Sequence, residues 1–519
     1  MYHLRTTKTK SGAIAVQVVE YVKRKTVVIK HIGSAKKIKE VNLFKRAARD
    51  WIEKNDPQQT LFSNTSSRLS RQKKLNSSRV LVLNQAELVS THTTFTYEVL
   101  SLLISQLGFT NLLKNAPRRQ LLIDLVIARL IRPTSKLESI NYLEREFGII
   151  YKRSSVYREL KEYPDLKDKV EQLVVKIARK YFNFNFHLVY YDVSTIYFES
   201  FKSDEELKQC GFSKDHKFNQ PQIVIGLMVN DQGFPVSYQV FKGNKFEGHT
   251  FIPIIQDFLQ KYSIKTLTVV ADAAMISQSN VGQLEEKQLN YIVGARLGNL
   301  SQKSIKQISA TLGQKDGAIT RLETKKGSLI CQFSQARYNK DKRDTAKQVE
   351  RALSALKNNP AKASKKLKFI KKSRAEEKLE FNKKLLEKTR LLWGIKGYYT
   401  NLSEAEVSNT EVISQYRQLW KVEKAFRIAK SDLQIRPIFH YSTNSIKAHL
   451  LICFMALSIA KFIEIESQLS LKKAIQLLQT VKDAKIRDKL SGETVVLKSS
   501  PSSDVENLLK KLDLSDLSY

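Results

Sequence analysis

Cysteine is scarce in this chain: only Cys210, Cys331 and Cys453 occur among 519 residues, widely spaced and without a Cys-x-x-Cys pair. That speaks against a disulfide scaffold or a zinc ribbon and fits a reducing compartment. Long apolar runs are also missing. The longest, His449 to Ala460 (HLLICFMALSIA), falls short of the roughly 20 residues that span a bilayer, so it reads as a buried helix. The segment MYHLRTTKTKSG lacks the apolar stretch of a secretory signal, so export is not expected. There is no Gly-x4-Gly-Lys-Ser/Thr loop and no His-Glu-x2-His helix, and so no sign of ATP hydrolysis or of a zinc protease. Acidic residues are the minority, 51 against 88 Lys and Arg, for a formal charge of +37. Such an excess suits a protein that neutralises many phosphates; the plainer alternative is a solubilising charge.

What is present is folded material, 42% hydrophobic and 9% aromatic, long enough for two to four domains. Residues 1–55 alternate over Ala13–Val22 and Thr26–Ile32 and then turn helical near Val41–Lys54, a small hairpin and helix module. Residues 56–80 are basic and rich in Ser, Asn and Gln, a linker by composition. Helical spacing dominates 81–182, read as a mainly helical DNA-binding region, with packing alone as the alternative. From 183 to 299 the period shifts to strands: His187–Phe198, then Gln222–Val229 and Phe234–Phe241 around the turn Asn230-Asp231-Gln232-Gly233, then alternating helix and strand. The expected class is α/β, a mixed sheet flanked by helices. Residues 300–395 interrupt it with strands at Ala318–Glu323 and Leu329–Ala336 and Lys-rich helices at Arg343–Leu356 and Glu376–Leu392. This basic β-plus-helical insertion carries 25 Lys and Arg against nine Asp and Glu, a net +16. It reads as a DNA clamp or as a solvated helical face. Residues 396–465 would complete the sheet domain, and 466–519 form a C-terminal helical region.

Three acids stand out. Asp192 lies in LVYYDVSTIYF and Asp272 follows TLTVVA, which would set the two carboxylates at the ends of neighbouring apolar strands, where each is costly unless paired or bound to a cation. Glu423 lies in the amphipathic stretch Tyr416 to His440, on a stripe with Tyr416, Leu419, Trp420, Arg427 and Lys430 at helical spacing. An exposed stripe of phenol, indole, acid and cations suits a surface that meets DNA, although Trp420 can equally be a core residue. Hard carboxylate oxygens in a basic chain point to metal-dependent chemistry on phosphodiesters. His249 and His440 are candidates for phosphate contacts or for structural roles.

With this helix, Asp192, Asp272 and Glu423 resemble the DDE transposases of bacterial insertion sequences, whose catalytic domain is RNase H-like. The resemblance extends to the subgroup with a β-containing insertion and the signature Tyr-x2-Arg-x3-Glu-x6-Lys, which here falls on Tyr416, Leu419, Glu423 and Lys430. It also covers Gly226–Gly243 (GLMVNDQGFPVSYQVFKG) and Asn244, the early KTKSGAIAVQVVEY and HIGSAK, and Arg436–His440. Leucine stands where the signature has arginine, the residue that handles the 5′ phosphate side of the cut. Arg427 is the residue that could compensate. The resemblance implies that Asp192, Asp272 and Glu423 bind two Mg2+ ions, for which Mn2+ can substitute, and that Tyr416, Trp420, Arg427 and Lys430 contact DNA. Cut-and-paste transposition follows: water frees a 3′-hydroxyl at the element's end, and that hydroxyl attacks target DNA. Further implications are a homodimer in the synaptic complex, no nucleotide cofactor, no membrane, and a cytoplasmic, nucleoid-associated protein. The alternatives are a non-catalytic or nuclease-only DNA-binding protein of the same fold.

Overall fold

The computed structural model describes residues 2–9, 11–22, 25–55, 86–199, 202–204, 206–212, 219–275, 277–287, 289–324, 327–358, 367–372, 379–489 and 493–515. The linker expected at 56–80 and positions 362–366 and 376–378 of the Lys-rich insertion lie outside the described residues. The chain divides into two units, Met1–Ala86 and Glu87–Tyr519.

In the first unit, β1 (Tyr2–Lys8), β2 (Ile14–Val22) and β3 (Lys25–Ala35) form an antiparallel meander, followed by the helix Ile38–Asn55. The expected hairpin thus has a third strand. β1 was hard to read because its YHLRTTK carries little apolar alternation. Val16 and Val18 are fully buried, with Phe44 and Trp51 of the helix packed over them.

The second unit is built on an eight-stranded mixed sheet flanked by helices. β4 (Ala86–His92) precedes a helical layer, and the sheet starts with β5 (Leu188–Tyr197), β6 (Gln222–Val229) and β7 (Pro235–Lys242), an antiparallel meander. Between β6 and β7, Asn230 Oδ1 accepts from the Gln232 and Phe234 amides while Gly233 takes φ +80°, which closes the turn read from the sequence. β8 (Thr268–Ala271) and β9 (Asn290–Ala295) then add in parallel on the other side of β5. The order β7-β6-β5-β8-β9, three antiparallel strands followed by two parallel ones, is that of an RNase H-like sheet.

β10 (Ile319–Thr324), β11 (Gly327–Phe333) and β14 (Ile395–Thr400) extend the same sheet beyond β9. The strands of the basic insertion are therefore continuous with the main sheet. The remainder of the insertion is the long helix Gln335–Asn358, the short pair β12 (Ile370–Lys372) and β13 (Leu379–Phe381), and the helix Lys383–Arg390. The helix expected over Glu376–Leu392 is shorter because Leu379–Phe381 pair with β12, and Asn382 Oδ1 then caps a new start by accepting from the Leu385 amide. At the C-terminus, read from sequence as helical, β15 (Asp483–Asp488) and β16 (Thr494–Lys498) form a hairpin that pairs with β4.

One helix binds the two layers together. Thr443–Ser467 extends the apolar run read from the sequence to 25 residues. It is long and apolar enough to cross a membrane by composition, yet 89% of its apolar window is buried inside the protein. It packs on the helix Ala116–Ile131 and on β7. A buried ionic cluster fastens the helix Lys167–Phe182 to β7: Glu171 accepts from Ser237 Oγ and the Tyr238 amide, both at 3.0 Å, and pairs with Lys261 at 2.5 Å and Lys167 at 3.1 Å. Removing one partner of such a cluster typically costs about 3–5 kcal/mol, because it strands the others without water.

Candidate active site

β5 is apolar on both faces except near Asp192, which is half-buried. Asp192 is not at a strand end, as the sequence suggested, but midway along β5, because pairing with β6 continues from Tyr190 to Tyr197. The parallel partner β8 stops sooner. Its last pair is Tyr191↔Ala271, so Asp192 and Asp272 each follow a paired residue at the same level of adjacent strands. Beyond that level no strand of the sheet pairs with β5 on the β8 side among the described residues, and only Ile438 bridges its far end, donating its amide to the Tyr197 carbonyl. Asp272 is exposed just past β8.

Glu423 arrives on the helix Trp420–Arg427, which buries Val422, Ala425 and Phe426 against the sheet and leaves Glu423 and Arg427 exposed one turn apart. Lys424 anchors this helix to Glu464 at 2.7 Å, and Lys421 donates to the Asp231 carbonyl. Asp192, Ser194, Glu423, Arg427, Lys430 and Arg436 line one open cleft of about 420 Å³.

Asp272 does not line that cleft. Its Oδ1 accepts from the Ala273 amide at 2.6 Å and from Tyr416 Oη at 3.4 Å. Tyr416 lies in the core with 7% of its surface exposed, its ring 4.8 Å from that of Tyr398 and capped by Lys396 Nζ at 4.7 Å. Burial first, then the Asp272 charge, pushes its phenol above the usual range. The Lys396 ammonium is pushed down by burial and by Arg337, while Asp272 and Glu423 both oppose that shift. Tyr416 and Lys396 therefore both feel the charges of Asp272 and Glu423.

The continuous exposed stripe expected from Tyr416 to Lys430 is not formed. The helix Asn409–Arg417 ends and Trp420–Arg427 begins anew, with a turn at positions 418 and 419, and a π-helical turn, Ile428–Asp432, follows. Tyr416 and Leu419 point into the core, Leu419 at 6% exposure, whereas Trp420 is half-exposed with Lys424 Nζ 5.9 Å from its ring. The break changes the angular register, so residues at ideal spacing face different ways. Arg417 donates to Gln332 Oε1 at 2.8 Å, away from the position left by Leu419. His249 is exposed beside Phe246; His440 is buried 5.6 Å from His449.

Sequence reasoning missed Lys396 and the place of Arg436 in the cleft. Lys396 had a signal: it is the lone charge in β14, IKGYYT, the same anomaly that marked Asp192. Among the described residues no three His, Cys, Asp or Glu side chains form a ready-made metal cluster. The donor set nonetheless fits a hard divalent cation: all three are carboxylates, and Glu423 makes no ion pair among the described residues. Magnesium is commonly held by one or two carboxylates with water and phosphate completing its shell.

Residues 191–459 match the family described as the Transposase DDE domain. The chain belongs to the DDE transposases. The match spans just over half of the chain and contains Asp192, Asp272 and Glu423. Its members are metal-dependent nucleases and transferases that use divalent ions, so this transposase is such an enzyme. Matching solved structures include the piggyBac transposase in a synaptic complex with hairpin DNA, at 10% identity over 74% of this chain and 77% of that one, TM-score 0.36. Another is the Mos1 transposase in a paired-end complex with the left transposon end, at 13% identity over 48% of this chain and 71% of that one, TM-score 0.15. No curated protein matches this transposase.

Proposed function

We propose that this transposase cuts the ends of its own insertion sequence and joins the freed 3′-hydroxyls to target DNA, with Asp192, Asp272 and Glu423 as its metal-binding acids. The observation that carries this reading is the cleft in which Asp192 and Glu423, distant in sequence, meet Arg427, Lys430 and Arg436. Acids and cations together suit a phosphodiester: the cations receive the non-bridging oxygens, and the acids gather positive charge beside the bond to be broken. Mg2+ at the three carboxylates, or Mn2+ in its place, supplies charge relief on the phosphoryl group and a more acidic water. Lys430 and Arg427 hold the DNA backbone along the cleft, and half-exposed Trp420 offers a stacking face for an unpaired base. Tyr416 acts from beneath, orienting Asp272 through its phenol. Two copies acting together would hold two ends in one synaptic complex.

The test uses the full chain, a labelled end duplex and Mg2+. Unsubstituted protein should cleave the end and yield strand-transfer products, while Asp192→Asn should bind the duplex in a gel-shift assay without cleaving it. Cleavage by the variant at the unsubstituted rate would overturn the assignment, and hydrolysis without any joined product would restrict the protein to a nuclease.

A further inference from the structure

Behind the acidic cleft lies a second, more enclosed cavity of about 100 Å³, several times the space one water needs. Its walls come from three parts of the fold: the end of the helix Ala116–Ile131, the start of the helix Lys136–Phe147, and the segment 434–440 with His449 beneath it. Arg129, Lys136, Arg436, His440 and His449 all line it, and no acidic residue does. Lys136 is 3% exposed and its Nζ has no hydrogen-bond partner. Arg129 is 2% exposed; its terminal nitrogens donate to the Thr134, Leu433 and Gln434 carbonyls, and its Nε is unpartnered. His449 Nε2 is engaged by the Ile435 carbonyl at 2.9 Å, which leaves Lys136, Arg129 Nε and His440 facing the space.

A buried ammonium without a partner is costly, and a second buried cation beside it makes it more so. The strain shows in the titration: burial, then Arg129, pushes Lys136 down to about 7, and burial, then Lys136, pushes His440 down to about 4. An anion in the cavity would oppose both shifts by favouring the charged forms. A tetrahedral oxyanion matches the donors best, because it can accept from an ammonium, a guanidinium nitrogen and an imidazole in different directions. Arg436 also lines the acidic cleft, so the two spaces share a wall.

We propose that this cavity is a binding site for a phosphate oxyanion, with Lys136 as its principal donor. The site is distinct from the carboxylates and needs no metal. Its ligand is either a backbone phosphate of bound DNA or free inorganic phosphate.

The experiment is titration of the metal-free full chain with inorganic phosphate at pH 6 and constant ionic strength, followed by calorimetry and thermal shift, with chloride as the control anion. Phosphate should bind saturably and raise the melting temperature where chloride does not. Lys136→Met, which replaces the ammonium by a thioether of similar length, should weaken phosphate binding at least about tenfold. It should also melt higher than the unsubstituted protein in the absence of phosphate; Lys136→Gln provides the same affinity comparison if the Met variant does not fold. Equal responses to phosphate and chloride, or equal phosphate affinity in the folded variant, would overturn the site and leave Lys136 a neutral core amine. A second arm adds an end duplex without metal. Loss of the phosphate response assigns the cavity to a DNA phosphate, and an undiminished response assigns it to free phosphate. Because neither arm reads cleavage, a failure here is separate from a failure of the proposed transposition chemistry.

Discussion

Gly294 in β9 is where a single methyl group should reach the candidate site. A Cβ built there would lie 2.5 Å from Tyr416 Oη, 3.1 Å from Cζ and 3.3 Å from Ala273 Cβ. Relieving the first contact requires the phenol to move about 1 Å, but Tyr416 is boxed in by Tyr398 at 4.8 Å and Lys396 at 4.7 Å. Overpacking of this kind costs about 1–3 kcal/mol. With an unfolding entropy of about 2.1 cal/mol/K per residue, a unit of the size of Glu87–Tyr519 loses roughly 1 °C of melting temperature per kcal/mol. Gly294→Ala should therefore melt about 1–3 °C lower by calorimetry. It should also cleave end DNA more slowly, since Tyr416 Oη can no longer hold Asp272 in place. The decisive comparison is the double variant Gly294→Ala/Tyr416→Phe. Removing Oη relieves the 2.5 Å clash and leaves only the milder contacts, 3.1 Å with Cζ and 3.3 Å with Ala273 Cβ, so the double variant should melt above Gly294→Ala alone. Simple addition of the two losses would refute the steric argument.

Three further outcomes are expected. His440 is held near 4 in the folded protein, against 6.5 for the free side chain, so folding resists its protonation; the associated stability is complete above pH 6.5 and is lost as pH falls toward 4, by about 3 kcal/mol at most. Urea unfolding at pH 7 and pH 4.5 should show this loss, reduced in His440→Gln, and an unchanged loss in the variant would assign it to other groups. Leu419→Arg restores the signature residue but places a cation at a site only 6% exposed, so it should destabilise the protein by about 2–3 kcal/mol in chemical denaturation; unchanged stability would show that the side chain reaches solvent. Trp420→Ala, at a half-exposed position, should alter stability by less than about 0.5 kcal/mol while weakening single-stranded DNA binding by about 1–3 kcal/mol in fluorescence anisotropy; unaltered affinity would remove Trp420 from the DNA surface.

The strands that carry the acids were legible because burial and alternation are local properties. LVYYDVSTIY and TLTVVA are apolar enough to declare themselves, and the lone carboxylate within the first and the one directly after the second are anomalies visible in the sequence. The turn at Asn230–Gly233 declared itself through its residue types. The helix that carries Glu423 was harder. Its residues match an ideal stripe, but a turn at 418 and 419 sends Tyr416 and Leu419 into the core and Trp420 outward. Periodicity assumes an unbroken helix and cannot register that break.

The amino-acid sequence by itself determined the apolar strands, the basic charge and the three acids in their order, because each depends on composition or on near neighbours. Only the tertiary structure decided which of these meet. Pairing of β5 with β8 brings Asp192 level with Asp272, and β14 brings Lys396 over the Tyr416 ring. The segment 434–440 encloses Lys136 beside Arg129, two cations whose mutual repulsion no local pattern foretells. Such encounters join residues hundreds of positions apart, and their energies arise from desolvation and close approach, quantities that exist only once the chain has folded.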